Sequence, residues 1–214
     1  MKQTLTANDC IAILEGMARD IEAGQDYLTS VDSALGDGDH GVSMTVGFRC
    51  VRDRVPALAD KDIGTILKSA GMALVSSMGG AAGPLYGTLF VHAGTALGPK
   101  LECSLADLVA AAEAACKGLA ERGRCQVGDK TILDVVQPVA EALKISLANG
   151  RDLMAALEIA LEASKEGLEA TRGMVCRQGR FSHFGDRAIG HLDPGAASAT
   201  LLLESLVKTL RNRP

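Results

Sequence analysis

Along most of this chain apolar residues recur every three or four positions, and strict alternation of apolar and polar residues is nearly absent. Ile11, Leu14, Ala18 and Ile21 share one face of a first helix, capped by Asn8 or Asp9. A second starts near Gly41, carries Met44, Val46, Phe48 and Val51, and stops at Pro56. Asp60 caps a third, striped by Ile63, Ile66, Leu67, Ala70 and Leu74. A fourth opens at Pro84, after a glycine-rich loop, and runs towards Gly98. Ser104 caps the regular SLADLVAAAEAACKGLAERG, which Gly123 closes. Asp129 opens a sixth, kinked at Pro138, because apolar spacing resumes at Val139, Leu143 and Leu147. Asp152 caps a seventh, and an eighth runs from about Ala196 to Leu210. The pattern predicts one all-α domain over residues 1–214, built of about eight helices. It shows no internal repeat, no low-complexity segment and no linker long enough to suggest a second domain.

Composition narrows the class. The chain is 47% hydrophobic and 22% charged, enough for a core in an ordinary soluble domain. A net charge of -4 with no lysine or arginine run argues against nucleic acid as a partner. No apolar stretch is long enough to span a bilayer, and MKQTLTANDC has no signal-peptide core. Six cysteines without a C-x-x-C pair read as reduced, mostly buried residues of a cytoplasmic protein. Four histidines and these cysteines give no zinc spacing.

Four segments carry chemistry. The first, VDSALGDGDHG, sets Asp32, Asp37 and Asp39 beside His40 and several glycines. Hard carboxylate oxygens suit Mg²⁺ or Ca²⁺. An EF-hand fails, because its fifth and twelfth positions counted from Asp37 would be Gly41 and Phe48. A solvated turn with a helix cap is the plainer alternative. Gly41, Val42 and Ser43 then enter a helix whose free N–H groups and positive dipole end attract phosphate. A Mg²⁺–phosphate ligand satisfies both features.

The second segment, MGGAAGPLYGT, either lets a ligand approach backbone N–H groups or serves tight helix packing. The third, GRCQVGDKT, misses a P-loop by one residue and lacks the preceding strand. It is either a helix stop and cap, at Gly123 and Asp129, or the rim of a nucleotide pocket. The fourth, the long loop RQGRFSHFGDRAIGHLDPGA, carries three arginines and two histidines, and Arg180 offers a planar fork for phosphate. Nothing in its sequence predicts strong packing.

Together GDGDHG, GGAAGPLYGTLF, GDKTILD and IGHLDPGA resemble the nucleotide-binding L subunits of dihydroxyacetone kinase, over about residues 8–210. The resemblance implies an eight-helix up-and-down antiparallel barrel with the nucleotide site at one end. It implies Asp32, Asp37 and Asp39 as ligands of two Mg²⁺ ions, with His40, Gly41, Val42 and Ser43 at the phosphates of ADP or ATP. Ala81 and Ala82 match a backbone contact, Gly123 and Ile132 the nucleotide pocket, and Asp193, Pro194 and Gly195 the closing loop. Arg180 matches a phosphate-side arginine with a catalytic role. Ser43 and Ala82 depart from the family's frequent asparagine and serine, and FSHFGDRAIGH departs from its aromatic-Leu-Gly-Glu-Arg-Ser pattern.

The implied partners are a K subunit holding the ketose and, in phosphotransferase-system members, a phosphoprotein M subunit that recharges bound ADP. A homodimer is compatible with this. Free-standing subunits belong to the phosphotransferase type, which is the expectation here. An ATP-dependent kinase subunit for another short ketose such as erythrulose, and a nucleotide-loaded regulatory module, stand as alternatives.

Overall fold

A computed structural model describes residues 4–179 and 181–212. The described residues form nine α-helices: α1 (Ala7–Ala23), α2 (Gln25–Ser33), α3 (His40–Arg54), α4 (Ile63–Ser77), α5 (Ala82–Leu97), α6 (Leu105–Gly123), α7 (Leu133–Ala148), α8 (Leu153–Ala170) and α9 (Pro194–Arg211). The all-α class read from the sequence holds. Two two-residue strands, β1 (Leu5–Thr6) and β2 (Glu102–Cys103), pair antiparallel and tie the start of α1 to the start of α6.

Each long helix packs on its neighbours in the chain, α1 packs directly on α3, and α9 returns to α1. Eight long helices therefore close a ring, with short α2 set beside it. Their apolar stripes meet in one core that includes Leu14, Ile21, Met44, Phe48, Ile66, Leu74, Leu119 and Leu157. The connections alternate between the two ends, and all but the long α8–α9 loop are short. One end gathers the α2–α3, α4–α5, α6–α7 and α8–α9 connections. That end carries all four sequence motifs.

The caps differ in detail from the sequence reading. Thr6, not Asn8 or Asp9, caps α1, and Asp9 completes a reciprocal capping box. Asp62, not Asp60, caps α4 and accepts the Thr65 N–H at 2.8 Å. Ser104 and Asp152 cap α6 and α8 as expected. Asp129 opens no helix, since α7 begins at Leu133. Asp193 caps α9, with Pro194 as its first residue, slightly ahead of the expected Ala196. Helix α7 runs through Pro138, which removes a donor to the Asp134 carbonyl, and Gly167 of α8 packs against that carbonyl.

Helix α2 is missing from the sequence reading for a physical reason. Only Leu28 and Asp32 of its nine residues are buried, too few to leave a periodic stripe. No helix among the described residues is long and apolar enough to cross a membrane.

Candidate functional site

The end loops surround a 390 Å³ pocket. Asp32 closes α2 and is buried, while Asp37 and Asp39 follow in an exposed turn that Gly38 bends at φ +75°. One ligand oxygen from each of the three lies within 4.8 Å of the other two. Asp39 is the N-cap residue of α3, yet its side chain makes no capping bond. Instead its backbone carbonyl accepts the Ser43 N–H at 2.9 Å, and Asp32 Oδ2 accepts the His40 N–H at 3.3 Å. The cap reading therefore fails for Asp39. The donor set, three close carboxylates at a helix start, fits a hard cation shared with phosphate.

Gly41 explains how two helices bring these groups together. An added Cβ would strike the Gln25 carbonyl and lie 2.9 Å from the Thr29 backbone nitrogen, both on α2. Only hydrogen at this position lets α2, which carries Asp32, approach the start of α3.

The glycine-rich loop serves both expected purposes, at different residues. Gly83 packs closely on the Met78 carbonyl, and Gly71 and Gly87 bring α4 and α5 into backbone contact. Gly79 and Gly80, by contrast, face nothing within 4 Å and line the pocket. Their missing side chains leave ligand space.

Ser43, Ala81, Ala82, Gly123, Ile132, Asp193, Pro194 and Gly195 all line the pocket, as do Asp32, Asp39 and His40. Asp37 joins through the carboxylate cluster. Like Asp37, Gly41 and Val42 do not line the pocket: Gly41 packs against α2, and Val42 is half exposed. Arg180 lies outside the described residues. Phe181 packs beside Gly36, where a Cβ would come within 2.8 Å of its ring. With Leu35, Cys176 and Ala188 it forms a second small core, against which Phe184 rests. The long loop is thus anchored on the turn that carries the aspartates, contrary to the expectation that nothing packs it.

Several contributors escaped the sequence reading. The His40 ring bonds Ser198 Oγ at 2.8 Å, Ser198 meets the Tyr86 hydroxyl at 2.6 Å, and Tyr86 donates to the Gly195 carbonyl at 3.1 Å. These bonds tie α3, α5 and α9 together through His40, Tyr86 and Gly195, which line the pocket. Asp134 accepts the N–H groups of Gly128 and Thr131, at 2.5 and 2.7 Å, and so shapes the α6–α7 loop. Burial lifts the Asp193 carboxyl to about 7, with the Asp134 charge adding to the rise; the Ala196 N–H and Lys130 oppose it. Burial also lowers the Lys130 ammonium. The final Asp of GDKTILD was a signal for Asp134, whereas nothing local marks Ser198.

The DAK2 domain family matches residues 34–208. The chain belongs to that family. It is 42% identical over 181 residues to the PEP-dependent dihydroxyacetone kinase ADP-binding subunit DhaL of Escherichia coli, covering 85% of this chain and 86% of that one. It is 36% identical over 201 residues to the corresponding subunit of dihydroxyacetone kinase 2 of Listeria innocua, covering 93% of each. An L-erythrulose 1-kinase of Mycolicibacterium smegmatis is 32% identical, with 94% of this chain matching 35% of its length. The dihydroxyacetone kinase of C. freundii, solved with AMP-PNP and Mg²⁺, superimposes with a TM-score of 0.68 at 24% identity, over 92% of this chain and 33% of that one. This chain spans about a third of that structure, and the likeness establishes a shared fold over that part.

Proposed function

We propose that this DAK2 chain is the ADP-binding, Mg²⁺-dependent subunit of a cytoplasmic, PEP-linked dihydroxyacetone kinase. The observation that carries the reading is the carboxylate cluster, Asp32, Asp37 and Asp39 within 4.8 Å, at the mouth of a pocket beside the α3 N-terminus. The 42% identity to an ADP-binding DhaL subunit supports the choice of nucleotide and of phosphotransfer type.

The division of labour follows from the residues. Asp32, Asp37 and Asp39 would hold two Mg²⁺ ions, which neutralise phosphate charge when bound. The start of α3 presents its N–H groups and dipole to the same phosphates. Gly79 and Gly80 leave their backbone open to the ligand, and Ala81 and Ala82 continue that wall. Apolar Leu85 and Ile132 line the same pocket and would exclude water from the nucleoside end. Arg180 is assigned to the transferring phosphoryl group on the motif resemblance. Its rigid fork follows charge onto the transferring oxygens.

Such a chain delivers phosphoryl to a ketose held on a K subunit and is recharged by a phosphoprotein M subunit. Native mass spectrometry of gently purified protein tests this, with one retained ADP and two Mg²⁺ expected. A further test is transfer from PEP to dihydroxyacetone, which should require K and M. Robust ketose phosphorylation by this chain alone with ATP would refute the assignment, and sizing of the same sample reads whether it is a homodimer.

A further inference from the structure

We propose that Lys130 is a positioning residue of the nucleotide site, a buried strut that sets where the turn Asp193–Gly195 stands. The inference rests on the nucleotide-binding function proposed above. It starts from a backbone oddity. Lys130 adopts φ +62°, in the left-handed region that disfavours residues with a Cβ. A glycine would relieve that strain, and Gly128 nearby does so at φ +96°. A lysine held there offsets the strain through its side chain.

That side chain is only 2% exposed. Its ammonium donates to the Thr171 carbonyl at 2.6 Å and to the His191 carbonyl. Thr171 Oγ1 in turn accepts the Asp193 N–H at 3.1 Å. One buried cation therefore ties three separate pieces of chain: the α6–α7 loop, the end of α8 and the turn before α9. The first and last supply pocket wall through Thr131, Ile132, Asp193 and Gly195. Gly195 is gripped from its other side as well, by the Tyr86 hydroxyl on its carbonyl at 3.1 Å.

Removing the ammonium takes a donor from the His191 carbonyl, leaves the Thr171 carbonyl with only the Met174 N–H at 3.1 Å, and deprives the Asp193 carboxyl of its nearby cation. The turn before α9 then loses its fixed position. The pocket wall should loosen while the helical ring, which does not depend on Lys130, persists. Lys130 itself borders the pocket, but its ammonium is committed to the Thr171 and His191 carbonyls. It acts through Asp193–Gly195.

The test compares wild type with Lys130→Gly, which relieves the strained backbone, and Lys130→Met, which keeps the side chain's bulk. ADP–Mg²⁺ dissociation constants are measured by titration calorimetry, and hydrogen exchange is followed over 172–192. Both variants should bind ADP–Mg²⁺ at least tenfold more weakly and exchange faster in that segment, with unchanged helical circular dichroism. Adding n-butylammonium to Lys130→Gly should restore affinity saturably, because it supplies the missing chain and its donors. Tetramethylammonium at equal ionic strength, which has no N–H, should not. Wild-type affinity and exchange in Lys130→Gly would overturn the proposal, as would equal rescue by both cations. If wild type itself bound no ADP–Mg²⁺, the functional reading would fail, while unchanged exchange over 172–192 in the variants would separately overturn the strut.

Discussion

Gly41→Ala probes the geometry of the site through a single methyl group. The new Cβ would meet the Gln25 carbonyl and sit 2.9 Å from the Thr29 backbone nitrogen. Backbone cannot rotate away as a side chain can, so α2 and α3 must separate by roughly 0.5–1 Å to restore ordinary contact, a shift large enough to matter at an active site. Overpacking of this kind costs about 1–3 kcal/mol, and alanine's better helix propensity returns up to about 1 kcal/mol. A net loss of about 1–2 kcal/mol should appear as a lower urea midpoint with an unchanged m-value. The functional loss should be larger. Asp32 rides on α2, and its 3.3 Å bond to the His40 N–H leaves little room before it breaks. ADP–Mg²⁺ affinity should fall at least tenfold, about 1.4 kcal/mol. Gly79→Ala is the control: nothing lies within 4 Å of its added Cβ, so stability should stay within about 0.5 kcal/mol. Wild-type stability and binding in Gly41→Ala would refute the claim that this contact sets the carboxylate geometry.

Other outcomes follow from the same contacts. Burial raises the Asp193 carboxyl from 3.8 to about 7, so between those values the folded protein holds a proton that the unfolded chain has released. Stability from this group therefore falls as pH rises through that window and stays low above 7. Asp193→Asn, which keeps a cap acceptor, should be more stable than wild type at pH 8, by at most about 4 kcal/mol. Thermal melts at pH 8 and pH 4 check it, and an advantage that grew towards pH 4 would reverse the sign argued here. Phe181→Ala removes the ring packed beside Gly36 and should open the 176–190 loop to protease while the ring of helices stays protected. Equal cleavage of the variant and wild type would contradict that anchoring. Arg180→Lys should lower turnover of the reconstituted kinase more than it weakens ADP binding, the pattern of a contact made mostly in the transition state. A parallel fall in both would remove that role.

How much of this was visible in the sequence depended on how local each cause is. Long helices with regular stripes, such as SLADLVAAAEAACKGLAERG, announce their type, limits and buried face without help. Helix α2 does not, because its stability comes from Gly41 and the start of α3 rather than from its own pattern. The aspartate turn was legible since spacing alone gathers Asp37 and Asp39, and Asp32 lies only five residues before Asp37, in the last turn of α2. The pocket walls followed from glycines, though the sequence could not separate Gly83, which packs, from Gly79 and Gly80, which face open space. Ser198 and Thr171 were invisible, as each works through a residue on a distant segment. The long loop misled for the same reason: Phe181 and Ala188 find their partners, Leu35 and Cys176, only after folding.

The central claim is that three carboxylates and the start of α3 hold a metal-bound nucleotide. Titration calorimetry of ADP into the purified, ligand-stripped protein tests it most directly, with Mg²⁺ and then with EDTA, and with Asp37→Asn and Asp39→Asn beside wild type. Saturable one-to-one binding is predicted for wild type with Mg²⁺ only. Both variants should lose it while keeping wild-type helical circular dichroism. ADP binding of equal strength in EDTA, or in the asparagine variants with Mg²⁺, would contradict the assignment of Asp32, Asp37 and Asp39 as the metal site.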